Sequence, residues 1–134
     1  MRYITPAELK QKLDNHEQVQ LIDTRDPVKF QECHIEGAIN IPQIDIPDSL
    51  DRISTEGMVV IYCLYGMKSE APYLYLREKQ RRKNVVILEG GIYQWASDID
   101  QTMAVYWVMN FQIFNIFALK YLFVVAICKW RLSG

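Results

Sequence analysis

The sequence predicts an α/β fold, a mostly parallel sheet flanked by helices on both faces. Two observations predict it. Strand-like and helix-like stretches alternate along residues 1–101. The strand-like runs are short, and "MVVIY" and "NVVIL" are almost unbroken apolar, as strands buried on both faces are. Such β and α units bury each other in layers around a core.

The elements follow in order. "TPAELKQKL" opens a helix, with Thr5 as cap, Pro6 in the first turn and Glu8 completing a capping box. "VQLID" is a short strand ending at Asp23. "RDPVKFQECH" reads as a small helix capped by Asp26, and "GAINIP" as a brief strand stopped by Pro42. "DIPDSLDRIS" is a loop and short helix, and "MVVIY" a strand ending at Tyr62. "SEAPYLYLREKQRR" is a helix that tolerates Pro72 because it falls in the first turn. "NVVIL" is the next strand, and "EGGIYQWASDI" is a Gly-Gly turn with a last helix.

In open parallel sheets, sites form beyond the carboxyl ends of strands. Cys63 stands at one such end, and Asp23 and Arg25 at another. The loop "CLYGMKS" lies between a buried strand and a helix start, where successive N–H groups can point at one centre. A cysteine there feels a helix N-terminus and the Lys68 cation, which both favour the thiolate. Gly66 allows a tight cradle, and Ser69 can cap the helix and donate a hydrogen bond. The loop alone leaves two readings of Cys63 open: a nucleophile, or a small core hydrophobe.

The composition excludes several classes. A chain of 134 residues with net charge −1 offers no electrostatic case for nucleic acid. Three cysteines, Cys33, Cys63 and Cys128, make a poor disulfide framework. No ligand spacing points to a metal, no motif to a cofactor, and no secretory leader opens the chain. The body therefore reads as cytoplasmic, where thiols stay reduced.

Three stretches, in order, resemble the rhodanese family of sulfurtransferase domains. "LIDTRDPVKFQECHIEGAINIP" is similar to its first signature, with Asp-x-Arg after a strand and a later His-Ile-x-Gly-Ala. "VVIYCLYGMKS" is similar to its active-site loop, C-x-x-G-x-R-S, and "KNVVILEGGIYQW" to its closing signature. The resemblance implies a five-stranded, mostly parallel sheet. It implies Cys63 as the nucleophile that carries sulfane sulfur as a persulfide to a thiol, cyanide-like or protein acceptor. Leu64, Tyr65, Gly66, Met67, Lys68 and Ser69 would form the substrate cradle. Asp23, Arg25 and His34 would be structural support, the first two as an ion-paired strut. The end of the body, with Trp95, Asp98, Asp100 and Tyr106, is similar to rhodanese domains that work beside adenylyltransferases of ubiquitin-like proteins. That resemblance implies a ubiquitin-like sulfur carrier as a partner.

The chain departs from the family pattern at informative places. Lys68 stands where the family has arginine, keeping the charge but losing the planar fork. Weak thiosulfate turnover is expected, and a catalytically silent partner-binding module is the alternative. A Cys-x5-Arg phosphatase loop would need one more residue and the missing arginine. Cys33 replaces a glycine, as filler or as a second thiol. Basic residues at "QRRK" replace an aromatic plug, as a solvated turn or as a dock for an acidic partner.

The chain divides into a rhodanese-like domain, 1–101, and a hydrophobic tail, 102–134. Residues 103–128 are long enough for a C-terminal hydrophobic helix that crosses a bilayer. Asn110, Gln112, Asn115 and Lys120 interrupt the stretch. The expectation is a membrane-associated protein with a cytoplasmic catalytic domain. The alternatives are an interfacial or partner-binding segment, and a tail packed on the body or carrying no function.

Overall fold

A computed structural model of the chain describes residues 1–103. Its elements are β1 (Tyr3–Ile4), α1 (Pro6–Asp14), β2 (Val19–Asp23), α2 (Pro27–Glu32), β3 (Ile39–Asn40), β4 (Met58–Tyr62), α3 (Glu70–Leu74), β5 (Val85–Leu88) and α4 (Gly91–Asp98). The strands form one sheet in the order β1-β5-β4-β2-β3, and every pair is parallel. The central strand is thus β4, the one that leads to Cys63.

Side-chain alternation along the apolar strands splits them between two cores. Leu21, Val60, Tyr62, Val86 and Leu88 face one side, against Leu9 of α1 and Ile92, Trp95 and Ala96 of α4. Ile22, Val59, Ile61, Val85 and Ile87 face the other, against Ile41, Ile46, Ile53, Tyr73 and Leu76. Both faces are covered, which is why the strands read as continuous apolar runs.

The α1 capping box is formed: Glu8 N–H donates to Thr5 Oγ1 at 3.1 Å, and Thr5 N–H to Glu8 Oε2 at 3.0 Å. The other two caps differ from expectation. Asp26 sits at the N-cap of α2 but makes no side-chain cap bond. Ser69 sits at the N-cap of α3 in helical backbone geometry, φ −79° and ψ −12°, and makes no side-chain cap bond. The α3 helix continues through a π-helical turn over Tyr75–Lys79, and "QIDIPD" and "LDR" form 3₁₀ turns. The two-residue β1, too short to show a period, carries no sequence signal. It pairs Tyr3 with Ile87 and Ile4 with Leu88.

The expected C-terminal hydrophobic helix and its membrane role are corrected. Among the described residues, no helix is long and apolar enough to cross a membrane. The longest α-helix among them, α1, has nine residues, and a span needs about 20. The tail from 104 to 134 lies outside the described residues. Membrane association is not carried forward.

Candidate active site

Cys63 is the first residue past β4 and is 3% exposed. Its Sγ accepts the Gly66 N–H at 3.1 Å. That bond needs the loop to turn back on itself, and Gly66 does so at φ +95°. Among the described residues, the N–H groups of Leu64, Met67, Lys68 and Ser69 donate to no protein acceptor. The Ser69 hydroxyl is fully buried and also without a partner. A buried hydroxyl without a partner is costly, and this one lies on a loop of unpaired N–H groups that begins at a thiol.

The start of the loop is fixed by α4. Ile92 N–H donates to the Cys63 carbonyl at 2.9 Å and Tyr93 N–H to the Leu64 carbonyl at 3.0 Å. So the N–H groups of a helix start, which lack partners inside the helix, hold the backbone of Cys63 and Leu64. The Gly-Gly turn makes the approach possible. A Cβ on Gly91, at φ +62°, would lie 2.4 Å from the Cys63 carbonyl oxygen and 2.5 Å from that of Leu64.

A cavity of about 480 Å³ opens at this end of the sheet. Cys63, Leu64, Tyr65, Met67 and Lys68 line it from the loop, Thr24, Arg25 and Asp26 from the end of β2, and Lys29, Glu32 and Cys33 from α2. Pro42, Gln43 and Ile44 complete the wall. Met67 and Ile44 are 71% and 84% exposed at its rim, and Tyr65 contacts the ring of Tyr93 there. Lys68 is exposed and, among the described residues, makes no hydrogen bond or ion pair.

Asp23 and Arg25 form a buried two-pronged ion pair. Arg25 Nε donates to Asp23 Oδ1 at 3.0 Å and Nη2 to Oδ2 at 2.7 Å. Arg25 Nη2 also donates to the Cys33 carbonyl at 2.6 Å, tying β2 to the end of α2. Burial works against the charge of Arg25, but the Asp23 carboxylate outweighs it and raises the guanidinium further. His34 is exposed; its ring stacks on Phe30 at 3.8 Å, and its Nδ1 lies 2.7 Å from the Phe30 carbonyl oxygen. It is absent from the cavity wall.

Three supporting residues had no expected role. Thr24 donates from N–H and Oγ1 to the Tyr62 carbonyl, pinning the two site loops side by side. Asn40 Nδ2 donates to the carbonyls of Asp23 and Arg25. The Tyr62 hydroxyl accepts the Ile35 N–H at 3.2 Å. Lone polar residues beside strand ends give no pattern in one sequence.

The basic turn lies at the other end of the sheet. Lys83 precedes β5, and in a parallel sheet that end is about one strand length, ~15 Å, from Cys63. Arg82 is turned inward to the carbonyls of Leu50, Ile53 and Ser54, and Arg77 to that of Lys83. A partner bound at this turn therefore does not face the thiol.

A rhodanese-like domain model matches residues 5–98. The chain belongs to the rhodanese family. Its three motifs implied that membership. It is 37% identical over 105 residues to a Mycobacterium tuberculosis protein named "Probable adenylyltransferase/sulfurtransferase MoeZ", covering 77% of this chain and 26% of that protein. It is 36% identical to a sulfurtransferase of Allochromatium vinosum, covering 69% of this chain and 86% of that one. A rhodanese-like domain protein of Staphylococcus aureus superposes with a TM-score of 0.64 at 33% identity, over 71% of this chain and 91% of that one. The chain thus spans about a quarter of the MoeZ relative's length.

Proposed function

We propose that Cys63 takes a sulfane sulfur from a donor, holds it as a persulfide and passes it to a thiophilic acceptor. The observation that carries this is the Gly66 N–H on Cys63 Sγ, in a loop where, among the described residues, the N–H groups of Leu64, Met67, Lys68 and Ser69 have no protein acceptor. The Cys63 thiolate attacks the outer sulfur of the donor, a new S–S bond forms, and the donor's remainder leaves with the electron pair of the old bond. The loop donors and the buried Ser69 hydroxyl are placed to hold the negative sulfur. An acceptor thiolate or cyanide then attacks that outer sulfur and Cys63 leaves as thiolate. No metal or cofactor enters either step.

On this reading Lys68 sets the donor. Arg25 is committed to Asp23, and Lys29 to Glu32 at 3.4 Å. Lys68 is then the one cation on the wall, among the described residues, without a carboxylate partner. A single flexible ammonium holds a sulfonate without the two parallel bonds of a guanidinium. Thiosulfate is therefore a poor donor, and a protein persulfide, oriented by its own docking, a better one. The exposed Met67 and Ile44 at the rim support a protein acceptor. The relatives named MoeZ and MOCS3 are each named adenylyltransferase and sulfurtransferase. This supports a small ubiquitin-like sulfur carrier, activated elsewhere, as that acceptor.

The test is intact mass after incubation with thiosulfate or with a protein persulfide. The parent gains one sulfur atom, about 32 Da, and Cys63→Ser does not. No gain from either donor overturns the reading and leaves a binding module.

A further inference from the structure

Two thiols, not one, open on the cavity. Cys33 lines it from the end of α2, and both cysteines are free. Cys33 and Leu64, the residue after Cys63, pack against the same core cluster.

Cys33 is the C-cap of α2, a six-residue helix with no buried residue, and Val28 on that helix is 65% exposed. Its end is tethered to the rest of the site wall through the Cys33 carbonyl, which accepts from Arg25. The thiol is half-buried beside that guanidinium. Burial pushes the thiol up against the opposing pull of Arg25, so it is mostly protonated at neutral pH and attacks slowly.

We infer that Cys33 is a resolving thiol for the Cys63 persulfide, discharging it as sulfide when no acceptor arrives. The inference rests on the proposed persulfide at Cys63. The Cys33 thiol loses its proton, and its sulfur attacks the inner sulfur, Cys63 Sγ. A Cys33–Cys63 disulfide forms, the bond to the outer sulfur breaks, and that sulfur leaves as HS⁻. The sulfane sulfur is reduced by two electrons and the two cysteines are oxidised to the disulfide, so no further oxidant is needed. An external thiol then reduces the disulfide and resets the site. The slow thiol gives an external acceptor time to take the sulfur first.

The experiment loads the full chain with a protein persulfide, removes the donor, and follows intact mass and free sulfide. A Cys128→Ser background removes the third thiol. The sulfur adduct decays into a monomer about 2 Da lighter than the reduced chain, with sulfide released in equal amount and Cys33 and Cys63 joined in the peptide map. The decay rate is unchanged on tenfold dilution, as for an intramolecular step. In Cys33→Ser and Cys33→Ala the adduct persists at least about tenfold longer. An adduct as long-lived in the parent as in both variants, with no lighter monomer, overturns the inference alone. No adduct even in Cys33→Ser overturns the persulfide reading beneath it.

Discussion

Gly91→Ala probes the contact that joins the closing motif to the nucleophile. The new Cβ would lie 2.4 Å and 2.5 Å from the carbonyl oxygens of Cys63 and Leu64, both backbone atoms. A left-handed conformation, φ +62° here, costs a non-glycine residue about 1–2 kcal/mol. Relieving the clash draws α4 away from the loop and loses the bonds from Ile92 and Tyr93. Overpacking of this kind costs about 1–3 kcal/mol, and buried groups left unpaired about the same. The expected loss is about 3–5 kcal/mol, against a typical total of about 5–15. Gly37→Ala is the control, because it sits at φ +85° with nothing within 4 Å of its Cβ. It should cost only the conformational part, about 1–2 kcal/mol. Urea unfolding followed by the fluorescence of Trp95, buried against α4's neighbours, reads both. With a slope of about 1–2 kcal/mol per molar urea, the Gly91 midpoint falls roughly 2 M below the parent. Persulfide uptake in its folded fraction falls as well, because the loop has moved. Equal midpoints for the two variants, or normal uptake by Gly91→Ala, would refute the argument that α4 sets the loop.

Other perturbations read other parts of the site. Lys68→Arg restores the fork on an exposed, unpaired position and should raise thiosulfate-to-cyanide turnover about tenfold; no gain would show that orientation of the sulfonate is not what limits it. Asp23→Asn leaves the Arg25 guanidinium, 9% exposed, without its carboxylate; a loss of about 3–5 kcal/mol in denaturant unfolding is expected. Tyr62 is held well above its ordinary range by burial first and then by the Asp23 carboxylate. Its folded form keeps the proton while the unfolded form loses it, so stability falls as pH rises past the unfolded value near 10. Urea midpoints between pH 8 and 11 should drop at the alkaline end, and the drop should flatten in Tyr62→Phe.

The sheet was legible where burial on both faces leaves continuous apolar runs. That is true of β2, β4 and β5, which carry the core residues of both faces. It is untrue of β1, whose two residues owe their extended form to β5 and to nothing local. The place of Cys63 at a strand end was legible because a strand, a glycine and a helix start occur together in sequence, although the loop alone left its role open. The holding contacts were not, since Thr24, Asn40 and the N-terminus of α4 reach the loop only through the fold. Ser69 was misread for a related reason. Serine before a helix usually caps it, but the cradle keeps its backbone helical and leaves its hydroxyl facing no protein partner. Nor did the sequence say which end of the sheet the basic turn occupies, since charge carries no such signal.

Charge around the cavity gives Lys68 its significance. Three cations line the wall, Arg25, Lys29 and Lys68, against the carboxylates of Asp26 and Glu32, with Asp23 directly behind Arg25. The wall is close to charge balance, and two of its three cations are ion-paired. A doubly charged small donor therefore meets little net attraction and must rely on backbone N–H groups and one ammonium. A protein donor meets a different surface, the apolar rim of Met67 and Ile44, and brings its sulfur as a persulfide with at most one charge. Apolar contact needs no fork. On the function proposed above, lysine at position 68 costs a protein donor less than it costs thiosulfate, and selectivity follows from the missing fork rather than from an added contact.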